Sequence, residues 1–155
     1  MNVRFETKKA FKIAGLVTVH SQNDDFPGLW EKLFEQVPYE KLAALGSGDA
    51  FGTCFNYSSD PHKFSYIAGY DVRLPEKARA LGLEVVEVPE AEYAIVELTG
   101  HVPENIHQGW EFAMREYFPS NGLVHAGTPD HEYYLIGDMS APDYKMELWV
   151  PFVRI

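Results

Sequence analysis

Tyr144-Lys-Met-Glu-Leu-Trp-Val-Pro-Phe152 is one of the most apolar strand patterns of the chain. Successive side chains of a β-strand point to opposite faces, so one face of this segment would carry only apolar groups. Those groups are Met146, Leu148, Val150 and Phe152. Such a face suits a core covered by helices. The opposite face would carry Lys145, Glu147, Trp149 and Pro151.

This segment ends the second of two similar units, each with a strand, a helix containing a Trp-Glu pair, and a hairpin. The strands are residues 11–20 and 93–101, the pairs are Trp30-Glu31 and Trp110-Glu111, and the hairpins span residues 51–72 and 131–152. Phe64 and Tyr144, which begin the last strands, are 80 positions apart. Self-similarity at a fixed step is typical of a duplicated architecture. We predict half-repeats of about residues 1–75 and 83–155 with pseudo-two-fold symmetry.

The two predicted helices depend on the spacing of apolar residues. Trp30, Leu33, Phe34 and Val37 recur at i, i+3, i+4 and i+7, which places them on one helical face. Asp24 or Asp25 is predicted to cap this helix, with Pro27 in its first turn. The second stripe is Ile106, Trp110, Met114 and Phe118. A short connecting helix over residues 75–82 and a strand over 83–88 are also predicted.

Together these elements predict an α+β fold built from a duplicated β-α-β-β unit. Its sheet would be mostly antiparallel, with two helices on one face and a ligand cleft on the other. Residues 1–155 would form a single domain, a length that suits one compact core.

Composition narrows the possible functions. The formal charge is −10, and the sparse lysines near the N-terminus form no basic patch, so direct binding of nucleic acid is not expected. An acidic surface favours cationic ligands and basic partners, although it is also ordinary for a soluble cytoplasmic protein. The single cysteine, Cys54, allows no internal disulfide. We predict a cytoplasmic location, no membrane span, no metal site and no cofactor.

Glu147 is the main candidate for a binding residue. It lies in the middle of an apolar strand and two residues from Trp149. In a cleft near the pseudo-two-fold axis, its carboxylate would be partly desolvated and would gain from a nearby cation. The residues 80 positions before Glu147 and Trp149 are Ile67 and Gly69. Because these counterparts differ in charge and size, the cavity would be asymmetric and would favour one ligand site. On a solvated sheet face, the same glutamate would have no such role.

Other aromatic residues are candidates for lining the cleft, although periodicity does not decide which face of their strands is core. They are Phe55, Tyr57, Trp110 and Tyr134. A tryptophan on a helical stripe, such as Trp110, is more often a core residue than a ligand platform.

Two strands resemble a known family. Tyr66-Ile-Ala-Gly-Tyr70 and Met146-Glu-Leu-Trp-Val-Pro-Phe152 are similar to the GyrI-like small-molecule-binding domain, which also serves as the effector-binding part of AraC-type and multidrug-responsive regulators. The resemblance implies that Glu147 pairs with lipophilic cations and that Trp149 forms a wall of the pocket. No DNA-binding helix-turn-helix is present in this sequence. Ile67 stands where a second acid would be possible.

Three functions follow as hypotheses. The first is a stand-alone module that binds hydrophobic, cationic small molecules. The second is a hydrolase of reactive electrophiles such as cyclopropane-bearing alkylators, in which Glu147 is the base and one of Tyr66, Tyr133, Tyr134 or Trp110 assists. The third is an acidic inhibitor of a topoisomerase-like protein partner. Both a monomer and a homodimer remain open.

Overall fold

The computed structural model describes residues 1–19, 26–57 and 64–155. The strands are β1 (Val3–Lys8), β2 (Phe11–Val19), β3 (Ala50–Phe55), β4 (Ser65–Asp71), β5 (Glu84–Val88), β6 (Ala91–Thr99), β7 (Leu123–His125), β8 (Asp130–Tyr134) and β9 (Lys145–Arg154). The helices are α1 (Phe26–Gln36), α2 (Tyr39–Ala43), α3 (Pro75–Ala80), α4 (Glu104–Glu111) and α5 (Phe118–Ser120), and a π-helical segment (Phe112–Tyr117) joins the last two. The predicted cap at Asp24 or Asp25 and the turn at residues 58–62 lie outside the described residues.

The sheet has the order β1-β6-β9-β8-β3-β4-β2-β5, with β7 paired to β9, and the pairings between its described strands are antiparallel. The predicted α+β class is therefore confirmed. β1 pairs with β6, and β5 pairs with β2. The first strand of each predicted half therefore pairs with a strand of the other half. This order is compatible with a duplication, and the pseudo-two-fold relation stays a prediction.

α1 and α4 pack against the same face of the sheet, which we call the helix face. Directly paired strand residues share a face, and the register runs across the sheet through Tyr70, Ala50, Tyr134 and Met146. Leu33 of α1 packs in the cluster that contains Tyr70, and Ile106 of α4 packs in the cluster that contains Met146. Both helices are thus held by strand residues that the period-2 pattern directs to this side.

The second helix buries a different stripe from the predicted one. Ile106 and Phe118 are buried as predicted, whereas Trp110 and Met114 are only half-buried. Gly109 faces the sheet instead. A Cβ atom at this position would lie 2.5 Å from a methyl group of Leu98, so the helix approaches the sheet closely there. The π-helical segment, with more residues per turn than an α-helix, also changes which side chains face the core.

The opposite, helix-free face is concave and filled with rings. Phe11 of β2 and His131 of β8 are three strands apart, about 14 Å in a flat sheet, yet their ring centroids are 5.4 Å apart. The sheet therefore curves strongly toward this face. The rings that fill the concavity, called the ring cluster below, are Phe11, Phe51, Tyr93, His131, Tyr133 and Trp149.

His131 connects the ring cluster to polar partners. Its ring nitrogens lie 2.6 Å from Thr53 Oγ1 and 3.2 Å from Tyr93 Oη. Burial lowers the pKa of His131 to about 3, so the imidazole is neutral at physiological pH. The described residues thus show a packed core over the middle of the face where the sequence predicted a ligand cleft, and an open cavity of about 460 Å³ lies at its edge beside Glu97, Lys145 and Glu147.

Candidate functional site

Glu147 lies at the edge of the ring cluster, and its charge is already paired. Its Oε2 atom is 2.7 Å from Nη2 of Arg4, and its Oε1 atom accepts a 2.9 Å hydrogen bond from Nε1 of Trp149. The side chain keeps 15% of its surface exposed. Lys8 lies 4.8 Å from the centroid of the Trp149 ring. Two cations of β1 therefore occupy the positions that the sequence assigned to a guest.

The other predicted residues on the helix-free face belong to its core. Ile67 and Trp149 are buried in one cluster, and Phe55 packs against it half-buried. A Cβ atom at Gly69 would lie 2.3 Å from the Ala14 carbonyl oxygen, so the missing side chain allows β4 to approach β2 closely. In the structure this glycine opens no cavity beside Trp149. Tyr133, a candidate for the hydrolase hypothesis, packs on the Trp149 ring.

Tyr57, Trp110 and Tyr134 lie elsewhere. Tyr134 is on the helix face of β8, and Trp110 packs from α4 against the same core cluster as Tyr134. Tyr57 follows β3 and donates a hydrogen bond to Asp130, a buried carboxyl that is also 3.0 Å from His125 Nε2. The structure therefore divides the eight predicted site residues among three places.

The helix face carries an acid that the sequence interpretation missed. Glu132 points from the middle of β8 into the space below α1, and its Oε1 atom accepts hydrogen bonds from Tyr66 Oη at 3.0 Å and Tyr134 Oη at 2.7 Å. Trp30 of α1 donates a 3.1 Å hydrogen bond to Tyr66 Oη. The Trp30 and Tyr134 rings are 5.5 Å apart in an edge contact. We call Glu132, Tyr66, Tyr134 and Trp30 the Glu132 site.

Gly52 provides the space for this convergence. It is paired directly with Glu132 across β3 and β8. A Cβ atom on Gly52 would lie 2.2 Å from Tyr66 Oη and 2.3 Å from Glu132 Oε1. The two polar groups can meet above this strand only because position 52 has no side chain.

Burial makes the Glu132 carboxyl unusual. Desolvation raises its pKa to about 7, the nearby Asp130 charge adds to the rise, and the hydrogen bonds from Tyr134 and Tyr66 oppose it. The pKa values of both tyrosines are raised well above 10 by burial, so both remain protonated donors. No lysine or arginine among the described residues forms an ion pair with Glu132.

The site is deep but accessible. Tyr66 is 1% exposed, whereas Glu132, Tyr134 and Trp30 are half-buried and keep contact with solvent. On the α4 side, Trp110 and Met114 are half-buried against the core cluster next to Tyr134. The arrangement presents one desolvated carboxyl among aromatic groups, three of whose four members keep some contact with solvent.

A model of the GyrI-like small molecule binding domain matches residues 1–153. This chain belongs to the GyrI-like family. The predicted resemblance is thereby confirmed over nearly the whole sequence. No curated protein matches the chain.

Solved structures with the same fold include three of interest for this GyrI-like chain. SAV2435 bound to tetraphenylphosphonium is similar with a TM-score of 0.81 and 18% identity, over 99% of this chain and 94% of that one. The EcmrR C-terminal domain has a TM-score of 0.67 and 11% identity, over 99% and 98%. A hydrolase from Listeria innocua has a TM-score of 0.59 and 14% identity, over 97% and 91%. At these identities the likeness shows the fold alone.

One signal in the sequence of this GyrI-like chain points to Glu132. The predicted step of 80 makes Gly52 the counterpart of Glu132 in the first half of the chain. A glycine inside a strand often marks a close approach by another group. The sequence interpretation applied the step to Tyr144, Glu147 and Trp149 but not to Glu132. In the described ranges, no cluster of three metal-ligating side chains occurs. The helices described there are also too short or too polar to cross a membrane.

Proposed function

We propose that this GyrI-like chain binds lipophilic cations at the Glu132 site, between α1 and α4. The observation that carries the proposal is a half-buried carboxyl that has two tyrosine donors and a tryptophan neighbour but no cationic partner among the described residues. A desolvated carboxylate gains more from a cation than a surface acid does. Each aromatic face adds about 0.5–2 kcal/mol of cation–π attraction.

Glu132 suits this role better than Glu147, for an electrostatic reason. A guest at Glu147 would have to compete with Arg4, which is covalently part of the protein and 2.7 Å away. A guest at Glu132 would neutralise a carboxyl that has no such competitor in the described structure. The complex of SAV2435 with tetraphenylphosphonium, a lipophilic cation, supports the proposed class of ligand.

Calorimetric titration with tetraphenylphosphonium tests the assignment. We expect Glu132→Gln to weaken binding by about 1–3 kcal/mol, or roughly fivefold to 150-fold, because the glutamine keeps the shape and removes the charge. Glu147→Gln is the matched control, since it removes one acid from the opposite face, and should change the affinity by less than about threefold.

The result that contradicts the proposal is equally clear. If Glu147→Gln lost most of its binding affinity while Glu132→Gln kept the wild-type affinity, the binding site would lie on the helix-free face instead. Circular dichroism of both variants shows whether each one keeps the fold. No heat of binding from a panel of lipophilic cations would remove the cation-binding function altogether.

Hydrolysis is the second candidate function. Glu132 has a pKa of about 7 and lies beside two tyrosine hydroxyls, an arrangement suited to a general base with nearby hydrogen-bond donors. The fold of the Listeria innocua hydrolase is compatible with it. Loss of turnover of a cyclopropane-bearing alkylator in Glu132→Gln would support it, and no turnover by the wild type would exclude that substrate. Inhibition of a topoisomerase-like partner stays a prediction from charge.

A further inference from the structure

The hydrogen bonds at the Glu132 site have fixed directions. An indole N–H is only a donor, so the Tyr66 oxygen accepts from Trp30 and its hydroxyl hydrogen points to Glu132 Oε1. Tyr134 donates to the same oxygen. Oε1 therefore receives two hydrogen bonds from neutral donors.

The two oxygens of Glu132 are consequently different. Oε2 accepts no hydrogen bond from the part of the chain that the structure describes, whereas Oε1 accepts two. Each hydrogen bond withdraws electron density from Oε1, so Oε2 is the more basic oxygen and is where a proton binds. It is also the oxygen that a guest can contact without displacing a tyrosine.

Building on the proposed function, we propose that Glu132 Oε2 exchanges a proton for the guest. In its ionised form the site binds lipophilic cations, and in its protonated form it binds neutral lipophilic molecules that accept a hydrogen bond. The exchange is balanced, because a proton leaves Oε2 for solvent when a cation arrives. A neutral acceptor instead receives a hydrogen bond from the Oε2 hydroxyl, and no proton is released.

In the described parts of the chain, the groups around Glu132 include no cation that would hold its carboxyl ionised. The titratable side chains nearest it are Tyr66 on β4, Tyr134 and Asp130 on β8, and Cys54 on β3. The charged side chains of α1 and α4 are exposed, namely Glu31, Lys32, Glu35, Glu104, His107 and Glu111. Both tyrosines and Cys54 stay protonated near neutrality because burial raises their pKa values. Asp130, whose pKa burial also raises, is the remaining group that a control must separate.

The test compares two probes that share three phenyl rings and do not titrate between pH 6 and pH 8. Tetraphenylphosphonium is a permanent cation, and triphenylphosphine oxide is a neutral hydrogen-bond acceptor. With a pKa of about 7, Glu132 is mostly protonated at pH 6 and mostly ionised at pH 8. We expect the cation to bind about tenfold more tightly at pH 8 than at pH 6, and the phosphine oxide about tenfold more weakly. Calorimetry at pH 6 in two buffers should show proton release only with the cation.

The Glu132→Gln variant distinguishes titration of Glu132 from titration of other side chains. The amide has no ionised form, so both probes should bind with pH-independent affinity, and the phosphine oxide should still bind through the amide N–H. Persistence of the pH dependence in this variant would assign it to another titrating group, Asp130 being one candidate, and overturn the inference. Cation binding by the wild type that is equal at both pH values would also overturn it, while the proposed function would stand. No binding of the cation at either pH overturns both.

Discussion

Trp149→Ala is expected to lower the free energy of unfolding by about 3–5 kcal/mol, a large part of the stability of a domain of this size. The indole is 6% exposed and contacts the rings of Phe51, Tyr93, His131 and Tyr133 at centroid distances of 5.3, 5.8, 5.8 and 5.0 Å. Its removal would leave a cavity that these neighbours cannot close, because each is held by the curved sheet. Urea unfolding followed by circular dichroism measures the change.

Trp149→Phe is the matched comparison for this prediction. Phenylalanine keeps an aromatic ring in the cluster and loses the N–H that donates to Glu147, so we expect a cost of about 1–2 kcal/mol. A cost below about 1 kcal/mol for Trp149→Ala would mean that the ring cluster is loosely packed. The helix-free face would then have room for the guest that the sequence predicted there.

Gly52→Ala is expected to weaken tetraphenylphosphonium binding by about a hundredfold or more, since it affects the Glu132 site at two points. The added methyl group would overlap Tyr66 Oη and Glu132 Oε1, at 2.2 and 2.3 Å. Glu132 can move by rotating its side chain, but the buried Tyr66 ring cannot move as easily. The carboxyl would lose the hydrogen bond from Tyr66 and its position in the Glu132 site.

The unfolding free energy and the binding affinity of Gly52→Ala must both be measured, because only a folded variant tests the site. We expect the variant to fold, with an unfolding free energy lowered by about 1–3 kcal/mol, because the overlapping atoms belong to side-chain ends rather than to backbone. A matched substitution, Ala50→Ser, changes the same strand two residues away and should leave binding within about threefold. Wild-type affinity in folded Gly52→Ala would show that the guest does not use the Glu132 carboxyl.

Several features of the fold were predictable because they depend on local periodicity. The alternation along residues 144–152 placed Met146 and Leu148 on the helix face, and the structure shows both buried there. The Trp30 stripe identified α1 and two buried residues, Leu33 within it and Val37 directly after it, whereas Phe34 of the same stripe is exposed. The second stripe was partly wrong, since the π-helical segment and the contact of Gly109 with Leu98 arise from packing rather than from spacing.

The candidate site was harder to predict, because its members are distant in the chain. Trp30 and Tyr66 are 36 positions apart, and Tyr66 and Glu132 are 66 apart. The Arg4 side chain that pairs with Glu147 comes from 143 positions away, on an edge strand that no motif marked. The proposed cationic class of ligand followed from charge and resemblance, whereas the proposal of Glu132 over Glu147 depends on tertiary contacts.

The sequence by itself determined the α+β class, the core face of the last strand and the family, because alternation, helical spacing and short motifs are properties of neighbouring residues. Only the tertiary structure decided which face carries the ring cluster and which acid has no cationic partner among residues 1–19, 26–57 and 64–155. The reason is physical: the curvature accumulated across the four neighbouring strands β8, β3, β4 and β2 brings Phe11 to His131 on one face. On the other face, long-range pairing sets Gly52 against Glu132 and leaves that carboxyl desolvated among rings.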